Sequence, residues 1–372
     1  MILLRFSVSG YRGFCDRIEL DLTDKRNYQF GKDCLRGEVL DKIIIVGGNG
    51  AGKTNFGYAM TDIVTTVTGF NRDIGQMNEG CFINGCCEDR VAEFCYVFVH
   101  RGVRIEYAYT KNTPTSIVSE RLTVDGVTAF DYSLHEKGRS VFDTRLMGME
   151  WMDYSVLDGR TSIIRTIVKE AGCDADSAVG AIWSFASHAL FYRSMWKKDE
   201  HIGLMDSDDD VETYIIGNSL VDEFSSFLRE TGLECGDIGV SGRRLVIRTG
   251  DRSIPFIDAA SRGTMIMCRL FCWIKRCRDL DALIFFDDFD DMFHYATARN
   301  TIRTIISSNR SQCIFVTHNS GLITNDFLRP DCCFILEDGK LSSLASRTEK
   351  DIRKGHNLEK MLRDGVFDRS FE

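Results

Sequence analysis

The spacing of hydrophobic and polar positions changes several times along the chain. Three short apolar segments near the N-terminus predict strands at 3–9, 17–22 and 42–46. Residues 91–126 alternate between apolar and polar positions, and the Arg-Gly and Asp-Gly pairs within this region are typical of hairpin turns. We therefore expect an antiparallel β-lobe in the first part of the chain.

The apolar residues between 140 and 232 recur at helical spacing, which predicts a helical insert. After this segment, strand patterns alternate with helical patterns, as is typical of a parallel sheet. The elements predicted there are a strand region at 238–256, a helix at 263–278, a strand at 282–286, a helix at 295–307 and a strand at 312–317.

These patterns divide the chain into three parts. We expect an N-terminal lobe at 1–139, a helical insert at 140–232 and a C-terminal lobe at 233–372. The predicted fold class is α/β, with a mostly parallel sheet and an antiparallel β-lobe beside it.

Composition excludes several classes of protein. The 372 residues are 44% hydrophobic and 27% charged, which is typical of a globular protein. No stretch of about 18 residues is apolar and uncharged enough to cross a membrane. The apolar N-terminus is too short for a signal peptide. We therefore expect a cytoplasmic protein with no membrane partner.

Charge and cysteine content also limit the function. The net charge of −9 argues against a protein that coats nucleic acid by bulk charge, although a local basic patch would still allow DNA binding. The 14 cysteines include no C-x-x-C pair, so we expect reduced, mostly buried thiols. The acidic stretch at 206–212 predicts an exposed loop, with metal binding as the less favoured alternative.

The strongest motif is G-G-N-G-A-G-K-T at 47–54, which fits G-x-x-x-x-G-K-[ST] between a predicted strand and a predicted helix. Its glycines allow a curled backbone whose amide groups bind anions, and the helix N-terminus adds positive charge. We expect Lys53 to bind the phosphates of ATP and Thr54 to ligate Mg²⁺. The other expected contacts of the nucleotide are Asn49, Gly50, Ala51, Gly52 and Asn55.

A second motif follows the apolar strand at 282–286, where two aspartates occur in succession. Asp287 ends this strand and is the candidate that orients Mg²⁺ through its water shell. Asp288 lies where a general base for the attacking water would be placed.

Further segments resemble a known family. The segment A-A-S-R-G-T, which ends at Thr264, resembles the E-S-x-G-T form of the ABC signature. The segment V-T-H-N-S around His318 resembles the switch-histidine segment, and D-D-F-D-D-M-F-H resembles D-E-x-D-x-x-L-H, which puts Asp290 on the D-loop. The opening F-S-V-S-G-Y-R-G-F-C-D resembles the family's first strand and turn, which here contains Arg12. The set resembles ABC-type ATPases of the SMC and RecF kind, in particular the compact AAA-family ATP-binding proteins found with nucleases in bacterial phage-defence operons.

The resemblance implies an ABC-type head that forms a head-to-tail homodimer or a higher oligomer, with ATP held between two copies. Ser261, Gly263 and Thr264 would meet the γ-phosphate across that interface. His318 would sense the phosphate within its own subunit, and Arg12 would contact the nucleotide. From the residues alone, a helix N-cap, a hydrogen-bonded core histidine and a solvated arginine are the alternative roles of Ser261, His318 and Arg12.

The resemblance also implies a role in anti-phage defence, in which the ATPase controls a separate effector protein, a nuclease. About 50 residues follow His318, too few for a nuclease domain in addition to the ATPase, which favours a separate effector. The alternative is a DNA-repair ATPase of the RecF or SMC type that acts on DNA directly.

Two positions depart from the family pattern. Asp288 replaces the usual glutamate and is one methylene shorter, so we expect slow hydrolysis. Ala260 replaces the acid that commonly precedes the signature serine, which leaves that contact without a partner. Gln76 is the one candidate for a Q-loop glutamine.

Overall fold

The computed structural model describes residues 1–70, 81–135, 140–149, 151, 157–193, 200–203, 210–278, 280–291 and 293–368. Gln76 lies outside these residues, as does the part of the predicted acidic loop at 206–209. Within the described residues the strands form two seven-stranded sheets, one three-stranded sheet and one two-stranded sheet.

The strands are β1 (Ile2–Ser9), β2 (Ile18–Asp21), β3 (Leu35–Arg36), β4 (Val39–Leu40), β5 (Lys42–Val46), β6 (Ala92–His100), β7 (Val103–Thr113), β8 (Ser116–Val124), β9 (Val127–Ser133), β10 (Val141–Phe142), β11 (Leu190–Arg193), β12 (Glu200–Gly203), β13 (Asp237–Ser241), β14 (Arg244–Thr249), β15 (Arg252–Pro255), β16 (Leu283–Asp287), β17 (Gln312–Thr317), β18 (Cys333–Glu337) and β19 (Lys340–Ser343). The α-helices are Lys53–Ile63, Thr144–Met147, Ile163–Thr166, Ala178–His188, Val211–Gly217, Val221–Thr231, Phe256–Ala259, Arg262–Cys277, Tyr295–Ser308 and Leu358–Arg363. Single π-helical turns extend two of the helices, at Val64–Thr68 and Ile167–Ala171.

The central sheet has the order β12-β11-β16-β17-β5-β18-β19. The five inner strands run parallel, and the two edge strands are antiparallel to their neighbours. Every residue of β5, β16 and β17 is buried, as expected for parallel strands that are covered on both faces. The prediction of a mostly parallel sheet is therefore confirmed.

The second large sheet is antiparallel throughout, with the order β10-β9-β8-β7-β6-β1-β2. It is the β-lobe that the alternating pattern predicts, and the first strand of the chain is one of its inner strands. Aromatic residues on its buried face join it to the rest of the core. The ring centroids of Phe6 and Phe56, for example, lie 5.6 Å apart.

The helix Lys53–Ile63 lies between the two large sheets. The Tyr96 hydroxyl of the β-lobe donates a hydrogen bond of 3.0 Å to the Ala59 carbonyl of this helix. On the opposite side, a Cβ atom at Gly57 would lie 2.4 Å from the Phe285 ring and 2.7 Å from the Phe191 ring. The helix backbone therefore lies directly on the central sheet, and only glycine allows this close approach.

The segment 140–232 is helical only in part, which corrects the prediction of a helical insert. Its β10 extends the β-lobe, and its β11 and β12 extend the central sheet beside β16. The two central-sheet strands have four residues each, too few to show a strand period in the sequence. The carboxyl end of β11 consequently reaches the edge of the sheet where β16 ends.

The C-terminal elements follow the predicted order closely. The strand region predicted at 238–256 is the small sheet β13-β14-β15. The predicted helices at 263–278 and 295–307 are Arg262–Cys277 and Tyr295–Ser308. All 14 cysteines are free, and the cysteines of the first of these helices are buried. Among the described residues, no helix is long and apolar enough to span a bilayer.

Candidate functional site

The loop 47–54 connects β5 to the helix Lys53–Ile63, as the motif predicts. Gly50 and Gly52 have φ angles of 79° and 98°, which side-chain-bearing residues rarely adopt. A Cβ atom at Gly52 would also lie 3.0 Å from the Phe14 ring. Asn49 and Gly50 are exposed and Ala51 is half-buried, so the loop presents its backbone to solvent at the edge of the sheet.

Lys53 lies over this loop. Its Nζ atom donates hydrogen bonds to the carbonyl oxygens of Gly47 and Gly48, each at 2.9 Å, and lies 3.1 Å from His318 Nδ1. Burial lowers the pKa of Lys53, and the carboxylates of Asp288 and Asp287 oppose this shift. The Lys53 ammonium group is therefore held by neutral carbonyl oxygens. Charged phosphate oxygens, which are stronger acceptors, would replace them.

Thr54 and Asp287 form the contact expected at a magnesium site. The Thr54 hydroxyl donates a hydrogen bond of 2.8 Å to Asp287 Oδ2. Asp287 is fully buried, and its Oδ1 atom is buried without a hydrogen-bond partner. Burial and the neighbouring Asp288 raise the pKa of Asp287 to about 6.

These two side chains fit Mg²⁺. The Thr54 hydroxyl keeps lone pairs that a hard cation can use, and an unpartnered buried carboxylate oxygen is costly unless a cation or a bound water compensates it. Among the described residues no group of three or more His, Cys, Asp or Glu side chains is arranged to hold a metal. Water, or oxygens of a nucleotide where one is bound, would supply the other ligands of a magnesium ion here.

Asp288 follows Asp287 with a φ angle of 46°, a conformation that Asp and Asn adopt more readily than other side-chain-bearing residues. Its backbone amide donates to the Val316 carbonyl at 3.1 Å, and its Oδ1 atom lies 3.4 Å from His318 Nε2. Lys53 has only donors, so His318 Nδ1 must accept and the imidazole proton is on Nε2, facing Asp288. The histidine therefore bridges the P-loop lysine and the candidate base.

Asp290, the predicted D-loop aspartate, contacts the end of β17. Thr317, the last residue of β17, donates a hydrogen bond of 2.7 Å from its hydroxyl to Asp290 Oδ2. This bond joins the end of β17 to the segment after β16 and so helps to position His318.

Arg12 lies at the first turn of the P-loop helix. Its Nη1 atom donates a hydrogen bond of 3.2 Å to Asn55 Oδ1, and its guanidinium carbon is 4.9 Å from the centroid of the Tyr58 ring. The predicted contacts Arg12 and Asn55 are thus adjacent to the loop. Arg12 is partly buried against these side chains and is not a fully solvated surface arginine.

Ser261 is the N-cap of the helix Arg262–Cys277, and its hydroxyl accepts a hydrogen bond of 3.2 Å from the Thr264 amide. Ser261 is exposed, Gly263 is half-buried and Thr264 is buried. The hydrogen bonds of Ser261 and Thr264 described here are local, as expected of an N-cap. The predicted contact of these residues with a nucleotide lies between two chains and stays a prediction.

Arg193 is the site residue that the sequence did not reveal. It ends β11, which pairs with β16 so that Arg193 lies opposite Asp287. Its Nε atom is 3.4 Å from Asp287 Oδ2, and its Nη2 atom is 3.7 Å from Asp288 Oδ2. The only sequence signal is a short apolar segment that ends in a cation, which is common and unspecific.

No protein-family model matches the chain, and no curated protein matches it in sequence. Among solved structures, the SMC head domain from Thermotoga maritima is 13% identical, with a TM-score of 0.44 over 92% of this chain and 98% of that one. A Pyrococcus furiosus Smc head domain with an extended coiled coil, bound to the C-terminal domain of ScpA, is 11% identical, with a TM-score of 0.43 over 98% of each chain. A bacterial Atm1-family ABC exporter with ATP bound is 10% identical, with a TM-score of 0.36 over 98% of this chain and 41% of that one.

At these identities and TM-scores the comparisons carry no conclusion about this chain. The chain is an α/β protein with a P-loop at the carboxyl edge of a mostly parallel sheet.

Proposed function

We propose that this protein binds ATP together with Mg²⁺ and hydrolyses it slowly. The observation that carries the proposal is the contact of Thr54 with Asp287 beside a lysine that is held over the P-loop by carbonyl oxygens. A structural glycine-rich turn requires none of these three side chains. When bound, Mg²⁺ would neutralise charge on the β- and γ-phosphates.

The residues around the phosphate position have distinct proposed roles. Lys53 would exchange its carbonyl acceptors for phosphate oxygens, which are stronger acceptors because they are charged. Asp288 would take the proton of the attacking water. His318 is in contact with both Lys53 and Asp288, so it is suited to report to Asp288 whether Lys53 has moved to the nucleotide.

We further propose that two copies close head-to-tail over ATP. The exposed hydroxyl of Ser261 at a helix N-terminus supports this arrangement, because such an end attracts anions. In this arrangement Ser261 and Gly263 of one copy would complete the site around the γ-phosphate of the other.

The third part of the proposal concerns the setting. By resemblance to compact ATPases of phage-defence operons, the closed dimer would control a separate effector protein, and a nuclease is the effector we propose. The alternative, a RecF- or SMC-like ATPase that acts on DNA itself, predicts an ATP-dependent mobility shift of DNA at moderate salt.

Calorimetry tests the first part. We expect ATP with Mg²⁺ to bind the wild-type protein, and we expect Lys53→Met to reduce affinity by at least about tenfold through loss of a charge-assisted phosphate contact. A folded wild-type protein that takes up no adenine nucleotide would refute the proposal.

Light scattering after gel filtration with ATP and Mg²⁺ tests the dimer. Ser261→Asp keeps an N-cap acceptor but places a negative charge opposite the triphosphate, so it should bind ATP and remain monomeric. Ser307→Asp makes the same change on an exposed helix position and should still dimerise. If Ser261→Asp dimerises as well as the control does, the signature residues do not contact the nucleotide. A pull-down with ATP then tests for the effector.

A further inference from the structure

The carboxyl ends of β11 and β16 bring a cation to the candidate magnesium site. The two strands are parallel and in register at Arg193 and Asp287, so both side chains lie at the same edge of the sheet. The Arg193 side chain is 29% exposed, whereas that of Asp287 is fully buried. Arg193 is therefore a partly solvated cation on the open side of a buried carboxylate.

Arg193 and Thr54 contact the same oxygen of Asp287. The Arg193 Nε atom is 3.4 Å from Asp287 Oδ2, the same oxygen that accepts the Thr54 hydroxyl at 2.8 Å. Because Mg²⁺ would be held by the Thr54 hydroxyl and by waters on Asp287, the guanidinium is next to the position of the ion. Two cations cannot share that position without strong repulsion.

A second group of contacts shows where Arg193 is anchored. Tyr58, one helical turn after Thr54, donates its hydroxyl to both carboxylate oxygens of Glu200 at 2.8 Å. The Arg193 guanidinium interacts with this tyrosine as well as with Asp287 and Asp288. Tyr58 is therefore a second partner of the guanidinium, which can keep this contact when it leaves Asp287.

We propose that Arg193 is a positioning residue that takes the place of Mg²⁺ at Asp287 in the nucleotide-free protein, and that the ion displaces its guanidinium when it binds. This inference rests on the proposed function, because it requires Asp287 to be the carboxylate that binds Mg²⁺ through its water shell. Lys53 cannot serve the same purpose, because its ammonium is bound to the P-loop carbonyls.

Electron paramagnetic resonance with Mn²⁺ as the probe tests the inference without nucleotide or turnover. Arg193→Gln removes the competing cation, so we expect Mn²⁺ to bind the nucleotide-free protein about tenfold more tightly than it binds the wild type, equivalent to about 1.4 kcal/mol. The gain should disappear in the double variant with Asp287→Asn, because the ion then has no carboxylate at this position. Unchanged Mn²⁺ affinity in folded Arg193→Gln would overturn the inference.

Two control variants test whether the positive charge of Arg193 itself sets the Mn²⁺ affinity. Arg299→Gln removes an arginine that pairs with Asp326 elsewhere on the surface and should leave Mn²⁺ affinity at the wild-type value. Arg193→Lys keeps the charge and should stay within about threefold of wild type, because repulsion of the ion depends on charge. An equal gain in Arg299→Gln, or a full gain in Arg193→Lys, would contradict the proposed displacement.

A measurement on the wild type avoids any dependence on how the variants fold. The side-chain Nε–H resonance of Arg193 should shift on addition of Mg²⁺, and a resonance that does not move as the metal site fills would refute displacement. Failure of the proposed function gives a different result, because calorimetry would then detect no ATP while the Mn²⁺ and resonance experiments could still succeed.

Discussion

Replacing Asp288 by Asn tests the chemistry of the site with little change of shape. The residue has a φ angle of 46°, and Asn adopts this conformation about as readily as Asp. The backbone bond from its amide to the Val316 carbonyl is unaffected. The substitution therefore removes one negative charge and the candidate base.

The expected loss of turnover follows from the usual contribution of general-base catalysis. General-base catalysis contributes about 10²–10⁴ in rate, so turnover should fall by at least about 100-fold, or about 2.7 kcal/mol of transition-state stabilisation. ATP affinity should change by less than about threefold, because Lys53, Thr54 and Asp287 keep their contacts with one another and with the loop. ATP should therefore remain bound, and the closed dimer should accumulate.

The assay is single-turnover release of phosphate, accompanied by calorimetry of ATP and light scattering of the complex. Asp125→Asn is the matched control, since it makes the same charge change at the same φ angle of 46°, in an exposed hairpin turn of the β-lobe. We expect the control to retain turnover within about threefold, as is usual for surface charges. If Asp288→Asn hydrolyses ATP as fast as the control does, Asp288 is not the base.

The remaining predictions concern affinity, pH and stability. Lys53→Arg should weaken ATP binding measured by calorimetry, because the wider guanidinium does not fit the position bounded by the carbonyls of Gly47 and Gly48. Burial raises the pKa of Glu120 from 4.5 to about 7. Between these two pH values the folded protein keeps a proton that the unfolded chain releases. The free energy of unfolding should therefore fall as the pH rises from 4.5 to about 7. In Glu120→Gln this pH-dependent loss of unfolding free energy should be smaller by up to about 3 kcal/mol, as measured by urea unfolding at several pH values. Lys111→Met should cost about 3 kcal/mol of unfolding free energy, because it leaves the Asp62 carboxylate, whose side chain is only 10% exposed, without the cation that contacts both its oxygens at 3.0 Å.

Each of these has an opposing result. Tight ATP binding by Lys53→Arg would show that ATP affinity depends on the charge of this side chain and not on its shape. A pH profile of Glu120→Gln that matches the wild type would place the titrating group elsewhere. If Lys111→Met/Asp62→Leu is no more stable than Lys111→Met, the loss arises from packing and not from an uncompensated charge.

Much of the fold and of the candidate site could be predicted from the sequence, because the informative patterns are local. The P-loop is one continuous segment whose glycines, lysine and threonine occupy fixed positions between a strand and a helix. The buried parallel strands are nearly continuous runs of apolar residues, so their positions along the chain and the acidic end of β16 are visible in the sequence. The structure accordingly brings Lys53, Thr54, Asp287, Asp288 and His318 together.

The segment 140–232 is harder to predict, because its contribution to the central sheet depends on pairing and not on composition. The four residues of β11 carry no period of their own, and their strand conformation comes from hydrogen bonds to β16, 94 positions later at Arg193 and Asp287. Tertiary pairing of this kind overrides local preference. The helical pattern of the flanking residues therefore predicts a helical segment where the structure has two strands, β11 and β12.

Arg193 shows why such an error affects the site and not only the fold. A cation at the end of an unrecognised strand cannot be assigned to an active site, since nothing local connects it with Asp287. Once β11 is known to pair with β16, Arg193 can be assigned to the site, because parallel strands in register end at the same edge of the sheet. A guanidinium 3.4 Å from a buried carboxylate then neutralises part of its charge. Two adjacent aspartates that are both buried are costly without a nearby cation. The strand that the sequence conceals is therefore the strand that brings a cation to both carboxylates.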